Sequence, residues 1–233
     1  MALWLPLIFA LGYAIVSMRF SVWRTQKMLD AQSHPLRDPK LEALTARMAQ
    51  ALDIPQIKVH IFDIEPVNGL AAPDGRIFLT TGFMKKYGQG LVTEEELASV
   101  IAHELGHVSM GHAKRRMIDV TGQNAVFMLL TTFLARFVPL IGPWVAQMVS
   151  RTLMAHLSRR DEFEADAYAS ALLIKSGIGT APQKSLFRKL NALTQNRADG
   201  IPAWLMSHPK AEERIGAIEA NEARWLGQQR ISR

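Results

Sequence analysis

The sequence predicts a mostly helical α+β domain with a small sheet, joined to an N-terminal transmembrane helix and an apolar helical hairpin. Three observations support this fold class. Apolar residues recur every three or four positions in several long segments, which is the spacing of one helix face. Two short segments alternate apolar and polar residues, as half-buried strands do. Two further stretches, one at the start and one in the middle of the chain, are almost free of charge over helical lengths.

The composition limits the chemistry. At 233 residues the chain suits one domain with attachments. It contains no cysteine, which excludes disulfides, thiolate metal ligands and cysteine nucleophiles, so any metal ion must be bound by His, Asp or Glu. The net charge of +6 and the pI near 9.8 suit either a nucleic acid or an anionic membrane surface, and the positions of the basic residues must decide between them.

Residues 1–20 are predicted to form a transmembrane anchor. Met1 to Met18 carry no charged side chain, and as a helix they would span roughly 27 Å, close to the ~30 Å hydrocarbon core of a bilayer. Arg19 could reach the headgroups from the end of this helix. The alternatives are a cleaved signal peptide and a buried core helix. A signal peptide is disfavoured because no basic segment precedes the apolar run and no clear cleavage site follows it.

Residues 21–38 are predicted to be a basic juxtamembrane linker. Arg19, Arg24 and Lys27 follow the apolar run, whereas only the amino terminus precedes it as a positive charge. The positive-inside bias therefore predicts that the downstream chain is cytoplasmic.

The main domain is predicted to cover residues 39–233, and its first elements are a helix and two strands. The helix would run from Pro39 to Leu52, with Asp38 at its start. Alternating patterns predict strands from Ile57 to Phe62 and from Arg76 to Thr81, with a turn at 73–75 before the second strand.

The next predicted helix carries the sequence's strongest motif. Thr93 and Glu96 form a capping box, and apolar residues at helical spacing follow. His103 and His107 then lie one turn apart on one face, near enough to bind one metal ion. Glu104 lies beside them, placed to take a proton from an attacking water, so this H-E-x-x-H predicts a zinc ion and peptide hydrolysis. The alternative is a pair of surface histidines.

Gly106 lies between the two histidines and has two interpretations. Glycine disfavours a helix interior, but it allows another element to approach closely. An incidental glycine is the other interpretation.

An apolar, membrane-associated hairpin is predicted at about 120–150. Val120 to Ala135 carries no charge, a Pro- and Gly-containing turn lies at 138–143, and Trp144 to Ser150 forms a short second leg. The second leg is too short for a complete span. A hairpin that dips into or lies along the membrane, a pair of spans, and a hairpin buried in the protein all remain open.

Basic residues flank the apolar segments. This placement suits an anionic membrane surface better than a nucleic-acid groove, and no nucleic-acid motif accompanies it. We therefore expect membrane lipid, and no nucleic acid, among the partners, with a solvated basic face as the alternative. The residues concerned are Arg19, Arg24, Lys27, Lys114, Arg115, Arg116, Arg151, Arg159 and Arg160.

Two histidines leave a catalytic zinc site one protein ligand short. A metzincin would place a third histidine at position 113, which is Ala113, so that class is excluded. A downstream carboxylate is expected instead. Four candidates lie on one predicted helix that runs to about Ile174, and the pattern alone does not single one out: Asp161, Glu162, Glu164 and Asp166.

The two motifs together resemble a known family. H-E-L-G-H at 103–107, followed by S-R-x-x-E-x-x-A-D at 158–166, is similar to the HtpX-type membrane zinc metallopeptidases, relatives of the CAAX prenyl endopeptidases and of bacterial outer-membrane quality-control metalloproteases. The resemblance covers most of residues 40–220. It implies a gluzincin-type catalytic domain with one Zn²⁺ per chain. It also implies that His103, His107 and Glu162 are the ligands and that Asp166 accepts a hydrogen bond from a ligand imidazole.

The same resemblance implies where a substrate binds. The segment 68–71 resembles the family's N-A-x-A sequence, which lies along the cleft where an extended substrate can add to the sheet edge as a strand. Gly69 departs from the usual alanine. The implied substrate-binding residues are Asn68, Gly69, Leu70 and Ala71.

A late H-P-x-x-x-x-R-I segment, from His208 to Ile215, also resembles the family. It implies that His208 faces the zinc, as a catalytic residue that stabilises the oxyanion or as a block on the open zinc position. Arg214 would then help to hold the site together. A helix-capping histidine is the alternative for His208. His112, five residues after His107, is expected to be rotated off the ligand face, and His60 and His156 are interpreted as structural.

These observations predict a membrane-anchored zinc endopeptidase that acts on polypeptides, with Glu104 as general base and later as proton donor to the leaving amine. The resemblance implies protein quality control of misfolded or membrane proteins, in a bacterial inner membrane. A catalytically silent adaptor or chaperone-like protein with a structural zinc is the main alternative, and a nucleic-acid binder is a third. Membrane-protein partners and a homo-oligomer remain open.

Overall fold

The computed structural model describes residues 4–72, 74–112, 142–195, 208 and 211–231. Seven helices and four short strands lie in these ranges. The helices are α1 Trp4–Ala31, α2 Pro39–Ala51, α3 Thr81–Gly88, α4 Glu94–Ser109, α5 Gly142–Lys175, α6 Ala181–Gln195 and α7 Ala211–Ile231. The strands are β1 Ser33–Pro35, β2 Val59–Phe62, β3 Gly69–Ala71 and β4 Ile77–Thr80. A mostly helical α+β fold with a small sheet is confirmed.

The four strands form one sheet in the order β1-β2-β4-β3. The two predicted strands correspond to β2 and β4, which pair in parallel, with Val59 opposite Ile77. Among the strands that the structure describes, only β3 and β4 form a hairpin, and their turn includes Gly75 at φ +85°, a conformation that glycine adopts without strain. Because β4 lies between β2 and β3, strand β3 is at one edge of this sheet.

Helix α4 lies at the centre of the domain. It contacts α2, α5, α6, β3 and β4, and every residue from Glu96 to His107 is buried. Helix α2 begins as predicted, because the Asp38 side chain accepts a hydrogen bond from the Leu41 backbone N–H at 2.9 Å. Its buried face, with Leu41 and Met48, belongs to the same apolar core as α4. The core therefore surrounds the helix that carries the H-E-x-x-H motif.

Helix α5 is a continuous helix of 34 residues. The predicted helix that ends near Ile174 is its C-terminal part, and the predicted short leg from Trp144 to Ser150 lies in its N-terminal part. The rest of the hairpin predicted at about 120–150 lies outside the described residues.

The end of α1 is attached to the sheet. Leu29 is 2% exposed and belongs to a small apolar cluster with Phe62 and Phe78, and the Asp30 carboxylate lies 2.7 Å from Arg76 Nη1. Of the segment predicted as a linker, residues 21–31 continue α1, and Ser33–Pro35 forms β1, which pairs antiparallel with β2. None of the helices, over the part of the chain that the structure describes, is long and apolar enough to cross a membrane. The transmembrane anchor at 1–20 stays a prediction.

Candidate metal centre

The capping box at the start of α4 is formed as predicted. Thr93 Oγ1 accepts a hydrogen bond from the Glu96 N–H at 3.2 Å, and Glu96 Oε2 accepts one from the Thr93 N–H at 2.9 Å. The buried Glu96 carboxylate also binds Ser185 and Lys189 of α6, at 2.6 and 2.8 Å. The first turn of α4 is thereby held in place, and the two histidines follow two to three turns later on the same helix.

His103, His107 and Glu162 converge on one point. The Nε2 atoms of the two histidines are 3.1 Å apart, and the two Glu162 oxygens lie 3.5 Å from them, Oε2 from His103 and Oε1 from His107. His208 joins the same group, in which one donor atom from each residue lies within 4.8 Å of the others. All four side chains are buried. Two nitrogens and a carboxylate in this arrangement form the usual protein ligand set of a catalytic zinc ion.

Gly106 explains how α5 comes close enough to supply a ligand. A β carbon at this position would lie 3.0 Å from both the Cα and the carbonyl oxygen of Ala165. Any larger residue would therefore push the two backbones apart. Of the two interpretations of Gly106, the close helix approach is the one that the structure shows.

The four carboxylates of the predicted helix point in two directions, two toward the ligand histidines and two toward His112. Glu162 faces the two Nε2 atoms, and Asp166 Oδ1 accepts a hydrogen bond from His103 Nδ1 at 2.9 Å. Asp161 and Glu164 lie toward His112 instead, with oxygens 3.9 and 3.3 Å from its Nε2.

Asp166 also binds Arg214 of α7. The guanidinium donates from Nε to Oδ2 at 2.5 Å and from Nη2 to Oδ1 at 2.7 Å, a bidentate pair in which both side chains are almost fully buried. Its Nη1 donates to the His208 carbonyl oxygen at 3.1 Å, and the cation lies 4.4 Å from the Phe187 ring centroid. Arg214 thus contacts both Asp166 and His208, the fourth residue of the ligand group.

The ionisation of the site follows from these contacts. Burial opposes a charge on His103, but its hydrogen bonds with Asp166 and Glu162 outweigh burial and raise the pKa of His103 to about 9. Burial and the positive charge of His103 lower the pKa of His107 to about 2. Burial also opposes ionisation of Glu162, but hydrogen bonds with His103 and His208 lower its pKa.

The pKa of Asp166 is lowered as well, because the charge and hydrogen bonds of Arg214 outweigh the effect of burial. Both carboxylates are therefore ionised at neutral pH, while His107 is neutral. An anionic oxygen and a neutral imidazole facing one point suit a divalent cation.

Glu104 lies against the cluster and provides a test of whether a metal centre fits. Its side chain is 4% exposed, and Oε1 is buried with no hydrogen-bond partner among the described residues. The Nε2 atom of His208 is 3.5 Å from this oxygen. A buried carboxylate oxygen without a hydrogen bond is costly unless a further group binds there. A water molecule beside the four donors would satisfy it, so the residues present fit a hydrated metal ion.

His208 lies within the ligand group. Its Nδ1 is 2.5 Å from Glu162 Oε2 and 3.3 Å from His103 Nε2. In this structure its ring therefore lies among the converging donor atoms, with Nε2 3.5 Å from Glu104 Oε1.

The segment predicted to bind substrate forms the sheet edge beside Glu104. The Asn68 N–H donates to Thr80 Oγ1 at 3.0 Å, and its side-chain oxygen accepts from the Gly69 N–H at 3.0 Å. A β carbon on Gly69 would lie 2.7 Å from Val100 Cγ1 and 3.5 Å from Glu104 Oε1. Leu70 and Ala71 continue this edge strand, opposite Phe78 and Ile77 of β4.

Sequence reasoning missed the position of His112. Five residues after His107, it would be rotated away from the ligand face if α4 continued. The helix instead ends at Ser109, and Gly111 at φ +66° turns the chain back, so that His112 is 1% exposed and its Nδ1 lies 2.7 Å from His107 Nδ1. The signal was Gly111, since glycine after a helix end favours this left-handed turn.

The model of "Peptidase family M48" matches residues 35–222 of this chain. The chain is 29% identical to Metalloprotease LoiP of Escherichia coli over 162 residues, 70% of this chain and 61% of LoiP. It is 26% identical over 244 residues to a Protease HtpX homolog of Janthinobacterium, covering 88% and 80% of the two chains. It is 23% identical over 180 residues to the human Metalloendopeptidase OMA1, mitochondrial, covering 72% and 33%.

Proposed function

The chain belongs to peptidase family M48, in its HtpX-type branch, and is a metalloprotease; we propose that it is a zinc-dependent endopeptidase of the gluzincin type. His103, His107 and Glu162 would bind one Zn²⁺ per chain, and Glu104 would be the general base. The observation that carries this proposal is the buried Glu104 Oε1, which lacks a hydrogen-bond partner among the described residues and lies beside a set of converging donors. A site built only to hold a structural zinc has no use for such a carboxylate.

When bound, a zinc ion would polarise the attacking water and the carbonyl of the scissile peptide bond. Glu104 takes the proton from the attacking water, because its Oε1 is buried beside the ligand group and accepts no hydrogen bond from the described residues. It then donates that proton to the nitrogen of the leaving amine, which completes hydrolysis. Asp166 keeps the proton of His103 on Nδ1, so that Nε2 of this imidazole would be the atom that binds the zinc ion.

His208 is proposed to have two positions. In the position observed, its ring touches Glu162 and His103 and blocks the open side of the cluster, which describes a resting state. A substrate would displace the ring, and the Nε2 atom, 3.5 Å from Glu104 in the resting state, would then face the oxyanion. Arg214 links this residue to Asp166 through the His208 carbonyl oxygen.

The polypeptide substrate is proposed to bind along β3 as an added strand. Strand β3 pairs with β4 on one side and is the outer strand of the described sheet, so its other side offers backbone donors and acceptors. Gly69 brings this strand against Glu104. A peptide paired with residues 69–71 would therefore pass directly beside the general base.

We further propose membrane anchoring through residues 1–20 and a quality-control role toward misfolded or membrane proteins. The uncharged run from Met1 to Met18 and the basic residues that follow it support the anchor and a cytoplasmic catalytic domain. The role and a bacterial inner membrane are what the resemblance of the two motifs to HtpX-type membrane metallopeptidases implies. Membrane lipid would be a partner under this proposal.

Glu104→Gln tests the mechanism, because glutamine keeps the shape of the side chain and cannot act as a base. We expect the variant to bind zinc like the parent and to cleave an unfolded protein such as casein about 10²–10⁴-fold more slowly. Glu95→Gln, in the first turn of the same helix, is the matched control and should cleave at the parent rate.

Cleavage by Glu104→Gln at the parent rate would overturn the proposed mechanism. Zinc binding by the parent without cleavage of any unfolded protein would instead support a silent adaptor. In native membranes the inactive variant should retain its substrates, and mass spectrometry of the retained proteins tests the quality-control role. Retention of no membrane or misfolded protein would contradict that role.

A further inference from the structure

His112 is buried against a proposed zinc ligand. Its Nδ1 lies 2.7 Å from the Nδ1 of His107, the two rings cross at 71°, and His112 is only 1% exposed. A contact this short between two ring nitrogens requires one proton between them. Which histidine carries this proton decides whether the Nε2 atom of each ring donates a hydrogen bond or offers a lone pair.

The proposed function assigns that proton. His107 turns Nε2 toward His103 and Glu162, and a metal bound there needs the Nε2 lone pair. Neutral His107 must then carry its proton on Nδ1 and donate it to His112 Nδ1. His112, accepting at Nδ1, must carry its own proton on Nε2.

A carboxylate receives this second proton. Glu164 Oε2 lies 3.3 Å from His112 Nε2, and Asp161 Oδ1 lies 3.9 Å away. Arg160 binds the other Glu164 oxygen at 2.8 Å, which holds the carboxylate in this orientation. Both carboxylates belong to α5, the helix that also supplies Glu162. Hydrogen bonds thus connect each proposed zinc histidine to an acidic residue of α5, directly for His103 and through His112 for His107.

We propose that His112 is a positioning residue for the metal centre: it accepts the Nδ1 proton of His107, donates its Nε2 proton to Glu164, and so fixes the tautomer and orientation of the His107 ligand. This inference rests on the proposed zinc site and extends it. Metal-bound histidines usually donate their second N–H to a carboxylate or carbonyl group, and loss of that partner typically weakens metal binding about 10–100-fold. Here a neutral histidine lies between the ligand and the carboxylate.

The same geometry argues against a second metal ion at this place. His112, Asp161 and Glu164 converge closely enough to hold one. A metal on His112 Nε2 would need the lone pair of that atom, which would move the proton to Nδ1. His112 could then no longer accept a proton from His107. The proposal therefore expects one zinc ion per chain.

The test is the zinc affinity of the full chain, measured by competition with a chromophoric chelator and without any substrate. His112→Phe keeps an aromatic ring but has no acceptor, so its zinc dissociation constant should rise about 10–100-fold. His112→Asn keeps an acceptor atom at the Nδ1 position and should recover most of the parent affinity. His60→Phe is the matched control. His60 of β2 packs on Phe78 of β4, so this variant should leave zinc affinity unchanged.

Nitrogen-15 NMR of histidine-labelled, zinc-loaded parent protein supplies a readout that does not depend on any variant folding. It should show His107 protonated on Nδ1 and His112 protonated on Nε2. A His112→Phe affinity within twofold of the parent would overturn the proposal, as would a second zinc ion that disappears in His112→Phe. If the parent itself binds no zinc, the proposed function fails as well. Zinc binding by the parent with no effect at His112 refutes only this inference.

Discussion

The two proposed histidine ligands are supported in different ways. His103 donates directly to Asp166, which forms a bidentate ion pair with Arg214, and all three groups are buried. His107 contacts His112, whose Nε2 lies near Glu164, and the Glu164 side chain is 27% exposed. We call these sets the His103 branch and the His107 branch.

The difference shows that two histidines of one site can have their pKa values shifted in opposite directions. In the His103 branch a buried carboxylate raises the pKa of the ligand to about 9, whereas in the His107 branch burial beside a charged neighbour lowers it to about 2. Removing one partner of a buried ion pair strongly destabilises the folded protein, because the other charge stays buried without compensation. A partly exposed carboxylate contributes less, because water and salt screen its charge. The His103 branch should therefore control folding as well as metal binding, and the His107 branch metal binding alone.

The largest expected effect is that of Arg214→Met. This change leaves the buried Asp166 carboxylate without its guanidinium, which costs about 3–5 kcal/mol in the free energy of unfolding. Chemical denaturation of the zinc-free protein measures it. Arg224→Met, at an exposed position of the same helix, is the control and should lie within about 0.5 kcal/mol of the parent. A loss below about 1 kcal/mol for Arg214→Met would remove the structural difference between the branches.

Asp166→Asn should change the pH dependence of zinc binding. Because the pKa of His103 is raised to about 9, the zinc-free parent holds a proton on His103 at pH 7.5 and must release it when zinc binds. Apparent zinc affinity should therefore increase with pH up to about 9. Asparagine removes the charge that raises this pKa, so the increase should level off at lower pH and fewer protons should be released.

Calorimetry in two buffers of different ionisation enthalpy counts the protons released at pH 7.5. The free energy of unfolding of the zinc-free parent depends on the same proton and should change in the opposite direction, decreasing as the pH rises. The contribution of protonated His103 is complete below its ordinary pKa of 6.5 and is lost as the pH rises through about 9. Equal proton release by parent and variant would contradict the role of Asp166.

The smallest expected effect is that of Glu164→Gln. Glutamine still offers an oxygen to His112 Nε2–H, and Glu164 is partly exposed, so zinc affinity should fall only about two- to fivefold. The loss should shrink further at high salt, because water and ions reach this carboxylate. Chelator competition at low and high salt measures both. A tenfold loss that persists at high salt would mean that the two branches are equally dependent on their carboxylates.

Local sequence was sufficient to predict an element wherever the residues that form its pattern lie within that element. The capping box at Thr93 and Glu96, the start of α2 at Asp38, and the strand patterns of β2 and β4 are all present, because caps and side-chain periodicity depend on neighbours a few residues away. The same holds for His103, Glu104 and His107, because their spacing predicts that they lie on one helix. Strand β1 was not readable, since a three-residue segment with a proline has no pattern of its own and acquires a strand conformation only by pairing with β2.

Residue spacing alone predicts the helix that bears two histidines and a glutamate, and with it a metal-dependent hydrolase. A family resemblance was needed to prefer Glu162 among four carboxylates. Which carboxylate faces which histidine depends on how the helices pack. The reason is the close approach of α4 and α5 at Gly106, which sets the rotation of α5 and turns Glu162 and Asp166 toward His103 while Glu164 meets His112. Such contacts join residues 52 to 63 positions apart in the chain, and no local pattern encodes them.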